Sequence, residues 1–409
     1  MNANRTDAGT TTTGAKASSA VTKFGVLAVI SLSHFLNDAT QALLIPIYPM
    51  LMARFSLDFT ELGMISMTYQ ITGSLLQPLI GRYTDKHPQP RSLAAGMCLT
   101  LAGILTLSVA PSYMWLILGS CILGTGSSIF HPESSRVARM ASGGRFGFAQ
   151  SVFQVGGNAG QACGPLLAAA FIMPHGQYSL SWFAALPLTA IALLLWIGGW
   201  EADRLRETEA RVSEATASPL PRGTVLRVFG ILLVLIFSKY FYIASINNYF
   251  IFYLTRRFGI SVEAAQMRLF LFMFAMATGT LLGGPIGDRI GRRYVIWISI
   301  LGAAPFTLAM PYLDLTWTTI TTFVIGFVLS SAFSAIVVFA QELLPGHVGT
   351  VAGLFFGLSF GMAGIGAAVL GRTADLYGID LVYHICAFLP LLGLFAVFLP
   401  KSAEAARPV

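Results

Sequence analysis

His34, Asn37, Asp38 and Gln41 recur at i, i+3, i+4 and i+7 within an otherwise apolar stretch, so on a helix all four share one face. Hydrocarbon cannot satisfy such a face, which must look inward, and a carboxyl withdrawn from water there can load and release a proton as its access alternates. The alternative is an aspartate bonded permanently to His34 or Asn37. A second group is His131, Pro132 and Glu133, with Arg136 and Arg139 close behind. Its proline removes a helical donor and opens polar backbone where a site can form. His131 and Glu133 stand about 200° apart on a helix, which predicts His131 facing a cavity and Glu133 pairing with Arg136. That pair is either a structural clamp near a helix end or, with Arg136 turned to the cavity, an attractor for anions. Asp38, Glu133 and His131 are the candidates for proton coupling.

Hydrogen-bonding side chains extend the pattern. Gln150, Gln154, Asn158 and Gln161 fall within about 80° of helical arc, a stripe suited to a polar solute or to gluing helices together. Gly156, Gly160 and Gly164 form a separate ridge that permits close helix approach. Lys239 is the lysine inside an apolar span, and Tyr240, Tyr242, Asn247, Asn248 and Tyr249 follow it. An ammonium there can neutralise an anion through charge-assisted bonds, or pair permanently with Asp38 or Glu133. The candidates for solute binding are His34, Asn37, Gln41, Gln70, His131, Gln154, Asn158, Lys239, Tyr240, Tyr242 and Asn247. His175, His347 and His384 lie near loop or helix ends and receive no role.

The elements that must position these residues follow from composition. The 409 residues are 55% hydrophobic and 11% charged, far from the roughly 25% charged of soluble proteins. The apolar stretches are continuous, as in membrane helices, and lack the short alternation of an outer-membrane barrel. Spans are predicted at 24–53, 61–81, 92–111, 114–137, 146–173 and 179–200, then at 224–254, 264–287, 294–312, 316–341, 348–373 and 379–399. A disordered tail over residues 1–22, six-helix bundles at 23–200 and 223–400, a linker at 201–222 and a tail at 401–409 complete the expected organisation. Placing both termini in the cytoplasm puts 19 of the 25 Lys and Arg on that side, leaving Arg54, Arg256, Arg257, Arg268 and Arg372 opposite and Lys239 in a span.

The formal charge of +7 therefore reflects topology; nucleic-acid binding would need basic residues interleaved with exposed aromatics. Cys98, Cys121, Cys163 and Cys386 lie in apolar stretches without CxxC pairing, so neither a disulfide framework nor a zinc site is indicated. No lysine follows a glycine, which excludes a phosphate-cradling GK[ST] loop. No nucleophile–base pair or metal spacing recurs at membrane depth, so the expectation is a non-enzyme without cofactor or metal.

The strongest internal signal is a repeat. Gly81, Asp85 and Lys86 end the second span, and Gly284, Asp288 and Arg289, followed by Gly291, Arg292 and Arg293, end the eighth, 203 positions later. The pattern GxxxD[RK]xGRR, complete at Gly284 to Arg293 and interrupted by Pro88 in the first half, is similar to the loop signature of the major facilitator superfamily. Over residues 24–400 the chain more specifically resembles that superfamily's fosmidomycin-resistance efflux proteins. The residues carrying this resemblance are His34 to Tyr48 (HFLNDATQALLIPIY), Gly126 to Gly144 (GSSIFHPESSRVARMASGG), Gln150 to Pro165 (QSVFQVGGNAGQACGP) and Ser238 to Tyr242 (SKYFY).

The resemblance implies an all-α polytopic protein of the bacterial inner membrane, with twelve transmembrane helices as two pseudo-symmetric bundles. It implies a monomeric proton-driven antiporter exporting a small anionic phosphonate, its partners being solute, protons and bilayer. Gly81, Asp85, Lys86, Arg136, Gly284, Asp288, Arg289, Gly291 and Arg292 inherit a gating role, with the degraded first-half loop expected to be the weaker. The run GxxxGP at Gly160 to Pro165 resembles an antiporter motif, although Ala168 and Ala169 replace the usual following glycines. A symporter importing a sugar or organic acid is the alternative. A non-transporting receptor or lipid-handling protein would need polar stripes aimed outward.

Overall fold

The computed structural model describes residues 21–57, 59–209 and 221–400, so the expected tails, save residues 21 and 22, and the middle of the expected linker lie outside the described residues. Every regular element among the described residues is a helix. The first half contains α1 (Phe24–Gln41), α2 (Phe59–Lys86), α3 (Ser92–Val109), α4 (Tyr113–Ala141), α5 (Phe146–Leu167) and α6 (Ala185–Glu209). The second contains α7 (Arg222–Phe258), α8 (Val262–Ile290), α9 (Arg292–Leu301), α10 (Leu315–Ser330, continued by Ala332–Leu343), α11 (Val348–Tyr377) and α12 (Ile379–Cys386).

Among the described residues, nine helical stretches are long and apolar enough to cross a membrane. α1, α2 and α5 are not among them, and these helices carry Asp38, Gln70 and the glutamine stripe, whose polar side chains lower the average hydropathy. Large apolar side chains such as Leu75, Leu195, Phe252 and Phe274 face outward, where acyl chains and not water would cover them.

Two expected boundaries are corrected. The span at 24–53 is not continuous: α1 stops at Gln41, and a single turn at Ile45–Ile47 containing Pro46 leads into a separate helix, Tyr48–Phe55, because proline withholds a backbone donor. At the other end of the half, α6 runs to Glu209, so Glu201 belongs to a helix and not to the linker.

Close approach is bought with glycine along three seams. In the first half α1 lies on α5, with Gly156, Gly160 and Gly164 set against the backbone of Ser31, Phe35 and Ala42, too close for any side chain. Between the halves, α2 packs along α11 and α5 along α8. Gly81 meets Gly349 across the first of these seams and Gly147 meets Gly284 across the second.

Candidate functional site

α1, α4 and α5 converge on Asp38, which is 3% exposed. Asn37 Nδ2 donates to one carboxylate oxygen at 3.0 Å and Gln161 Nε2 to the other at 2.9 Å. His34 Nε2 approaches to 3.5 Å and His131 Nε2 to 3.8 Å. On the far side of each ring, His34 Nδ1 lies 2.8 Å from the Phe153 carbonyl oxygen and His131 Nδ1 lies 3.0 Å from that of Ser127. A carbonyl only accepts, so each Nδ1 carries a hydrogen and each Nε2 is the nitrogen left facing the carboxylate. Both Nε2 atoms are buried without a hydrogen-bond partner. Two ring nitrogens and a carboxylate oxygen thus converge within 4.8 Å of one another, a set that can hold one positive charge among them.

The surroundings fix this arrangement. His34 stacks on Phe153 at 4.1 Å, and a methyl on Gly157 would run into the His34 ring. Asn37 Oδ1 accepts from Gln41 at 2.9 Å and from Thr100 at 3.3 Å, while Gln41 accepts from the Tyr69 hydroxyl at 2.6 Å. The His131 ring is covered from the opposite half by Phe356 and Phe360 of α11, with ring centroids at 5.3 and 5.2 Å.

Lys239 of α7 is 2% exposed. Its ammonium lies 3.5 Å from the Ser330 carbonyl and over the rings of Tyr240 and Phe333 at 5.4 and 5.3 Å. Among the described residues no carboxylate pairs with it, so neither Asp38 nor Glu133 is its partner. Phe333 touches Phe356 at 5.1 Å, and Phe356 touches His131, so two phenylalanines bridge the ammonium to the Asp38 cluster.

The other candidates scatter. Gln154 is buried with an unpartnered carbonyl oxygen, Asn158 donates to Thr280 of α8 at 3.1 Å, and Gln70 lies against Gly364 of α11. Tyr242 instead belongs to the packed core, its hydroxyl on the Met310 sulfur at 3.5 Å, and Asn247 is exposed outside the cluster. Glu133 pairs with Arg136 at 2.5 Å and also accepts from Thr84 and Ser92. Arg136 additionally holds Glu201 at 2.8 Å, so two carboxylates share its guanidinium here, the clamp arrangement of the two expected. Glu201, assigned to the linker on sequence, is the missed member; its position at the end of an apolar run was the available signal.

Both signature aspartates reach across the seam between halves. Asp85 accepts from the backbone amides of Gly349 and Thr350 at 2.8 and 2.7 Å and from the Thr350 hydroxyl at 2.6 Å, at the start of α11. Asp288 accepts from the amides of Gly147 and Phe148 at 3.0 and 2.9 Å, at the start of α5. Each carboxylate therefore meets the positive end of a helix belonging to the other half. The first-half contact is not the weaker one, since Asp85 takes three donors across the seam. Pro88 and the missing glycine–arginine pair lie beyond the aspartate and leave its reach unchanged. Arg292 steadies Asp288 at 3.1 Å and Glu342 at 3.0 Å, and Gly291 makes its turn at φ 96°, where a side chain is strained. Lys86 and Arg289 are exposed and form no ion pair among the described residues. Gln341 of α10 donates to Ser135 at 3.2 Å and accepts from Arg139 at 3.3 Å, a further contact between the halves.

Paired helical halves, buried ionisable groups facing inward and reciprocal latches at one end define a polytopic membrane transporter. The Major Facilitator Superfamily model matches residues 30–364 and 232–409. The Fosmidomycin resistance protein of Escherichia coli (strain K12) is 57% identical over 391 residues, 95% of this chain and 96% of that protein. An uncharacterized MFS-type transporter of Bacillus subtilis (strain 168), YfnC, is 40% identical over 94% of each chain. The fold also matches the crystal structure of FucP in its outward conformation, with TM-score 0.69 and 16% identity over 92% of this chain and 99% of that one. The human organic anion transporter MFSD10 gives TM-score 0.70 and 19% identity over 91% and 98%. The chain belongs to the major facilitator superfamily and, within it, to the family of the fosmidomycin resistance protein.

Proposed function

We propose that this chain is a proton-coupled antiporter that exports fosmidomycin, and related small anionic or toxic compounds, across the bacterial inner membrane. Twelve spans with both termini cytoplasmic set the signature loops on the cytoplasmic side, so the latched state is the inward-closed one. The observation that carries the reading is a buried lysine with no carboxylate partner among the described residues, joined through Phe333 and Phe356 to a buried carboxylate faced by two imidazoles. Lys239 is suited to an anion, and the His34–Asp38–His131 cluster to a proton. The relative named for fosmidomycin resistance supports the choice of solute.

Coupling is then a difference in binding free energy between the two orientations of the halves. A proton on the cluster and an anion at Lys239 favour different orientations. Export of an anion is aided by an inside-negative potential, worth about 2.3 kcal/mol per charge per 100 mV, and proton entry adds to it.

The test is fosmidomycin accumulation by everted vesicles under an imposed pH gradient, with a pH dye reading proton flux. Wild type is expected to accumulate solute as protons leave the vesicle, and Asp38→Asn to lose this with membrane insertion intact. Unchanged coupling in Asp38→Asn overturns the proton assignment, and proton flux in the same direction as the solute identifies a symporter instead.

A further inference from the structure

We infer that His34, Asp38 and His131 also form a binding site for one divalent first-row transition cation such as Zn2+ or Co2+. Two imidazoles and one carboxylate are a donor set these ions take readily. Among the described residues this is the group of three such donors gathered closely enough to hold an ion.

The second observation is the state of the two rings. Metal-binding histidines commonly donate their remote N–H to a carbonyl, which fixes the tautomer and aims the other nitrogen at the ion. His34 does so to Phe153 and His131 to Ser127, and the two Nε2 atoms left over are buried, unpartnered and aimed at the same carboxylate. Ligands about 2.0–2.1 Å from a tetrahedral ion stand roughly 3.3 Å apart. His34 Nε2 stands 3.5 Å from one Asp38 oxygen and His131 Nε2 3.8 Å from the other, with the three ligand atoms within 4.8 Å of one another, so side-chain rotation must draw them in around the ion. Gln161, exposed on one side and bonded to Asp38 on the other, links the cluster to the surface.

Cation capture here needs donors alone, not transport, so a chain that binds Co2+ but moves no fosmidomycin keeps this site and loses the antiporter reading. The experiment titrates Co2+ into the full chain, purified in detergent with a tag free of histidine, and reads visible absorption. One saturable Co2+ per chain is expected, with His34→Gln and His131→Gln each weakening it at least about tenfold and His175→Gln leaving it unchanged. Thermal unfolding shows which variants are folded. X-ray absorption of the Zn2+-loaded wild type gives an answer that needs no variant: two imidazoles and oxygen, without sulfur. Absence of saturable binding, equal binding by folded His34→Gln/His131→Gln, or a sulfur shell from Cys98, Cys121, Cys163 or Cys386 would overturn the site.

Discussion

The Gly349 amide donates to the Asp85 carboxylate at 2.8 Å across 264 positions of chain, tying the end of α2 in one half to the start of α11 in the other. With Asp288 on Gly147 and Phe148, it makes a reciprocal pair of grips built on backbone amides, to which the Thr350 hydroxyl adds a side-chain donor at Asp85.

Loosening one grip should therefore act through the aspartate. Hydrogen bonds to a charged group contribute about 1.5–3 kcal/mol each, and an amide in place of the carboxylate keeps part of that. Asp85→Asn is expected to speed hydrogen exchange at Gly349 and Thr350 about tenfold, a loss of about 1.4 kcal/mol. Lys86→Ala and Arg289→Ala should leave exchange at these amides unchanged, since neither side chain enters a grip. Equal exchange in wild type and Asp85→Asn would refute the latch.

Gly81 and Gly230 give a paired test of the seams. A methyl on Gly81 would strike the Gly349 backbone, whereas Gly230 has nothing within 4 Å. Overpacking typically costs about 1–3 kcal/mol, and here the obstacle is backbone that cannot rotate away. Gly81→Ala should lower thermal stability and abolish the closed state seen by cross-linking between α2 and α11; Gly230→Ala should behave as wild type.

Arg136 holds two buried carboxylates, those of Glu133 and Glu201. Its removal strands both, and breaking a buried pair typically costs about 3–5 kcal/mol. Arg136→Gln is expected to unfold at markedly lower temperature, and Glu201→Gln added to it should restore part of the loss. Additive effects in that double-mutant cycle would show the three residues to be uncoupled.

Lys239 should separate binding from stability. A buried ammonium with no carboxylate partner among the described residues is a burden on the fold, and methionine fills similar space without charge. Lys239→Met is expected to raise the unfolding temperature while weakening fosmidomycin binding at least tenfold in a titration. Equal affinity would exclude the anion contact.

Periodicity made much of this legible. The i, i+3, i+4, i+7 spacing of His34 to Gln41 put those residues on one inward face, and the spacing of Gly156, Gly160 and Gly164 pointed to a close helix contact, though not to α1 as the partner. The 203-residue repeat located both latching aspartates but said nothing of what they grip, because their partners are amides, which every residue carries. Gly147 and Gly349, 202 positions apart at the starts of α5 and α11, were the trace of it. Glu201 was misplaced because a charge after an apolar run reads as the membrane edge, and only the fold brings Arg136 to it. Phe356 and Phe360 are two of 30 phenylalanines, and nothing local marks the pair that covers His131.

The crossed grips have a corollary for assembly. Either half carries both a gripping carboxylate and the amide pair that such a carboxylate seeks, so two copies of one half, related by a twofold axis, could satisfy each other as the covalent halves do. The bonding scheme is that of a self-complementary dimer whose subunits share one polypeptide, with the buried imidazoles and carboxylate of the Asp38 cluster in one and the Lys239 ammonium in the other.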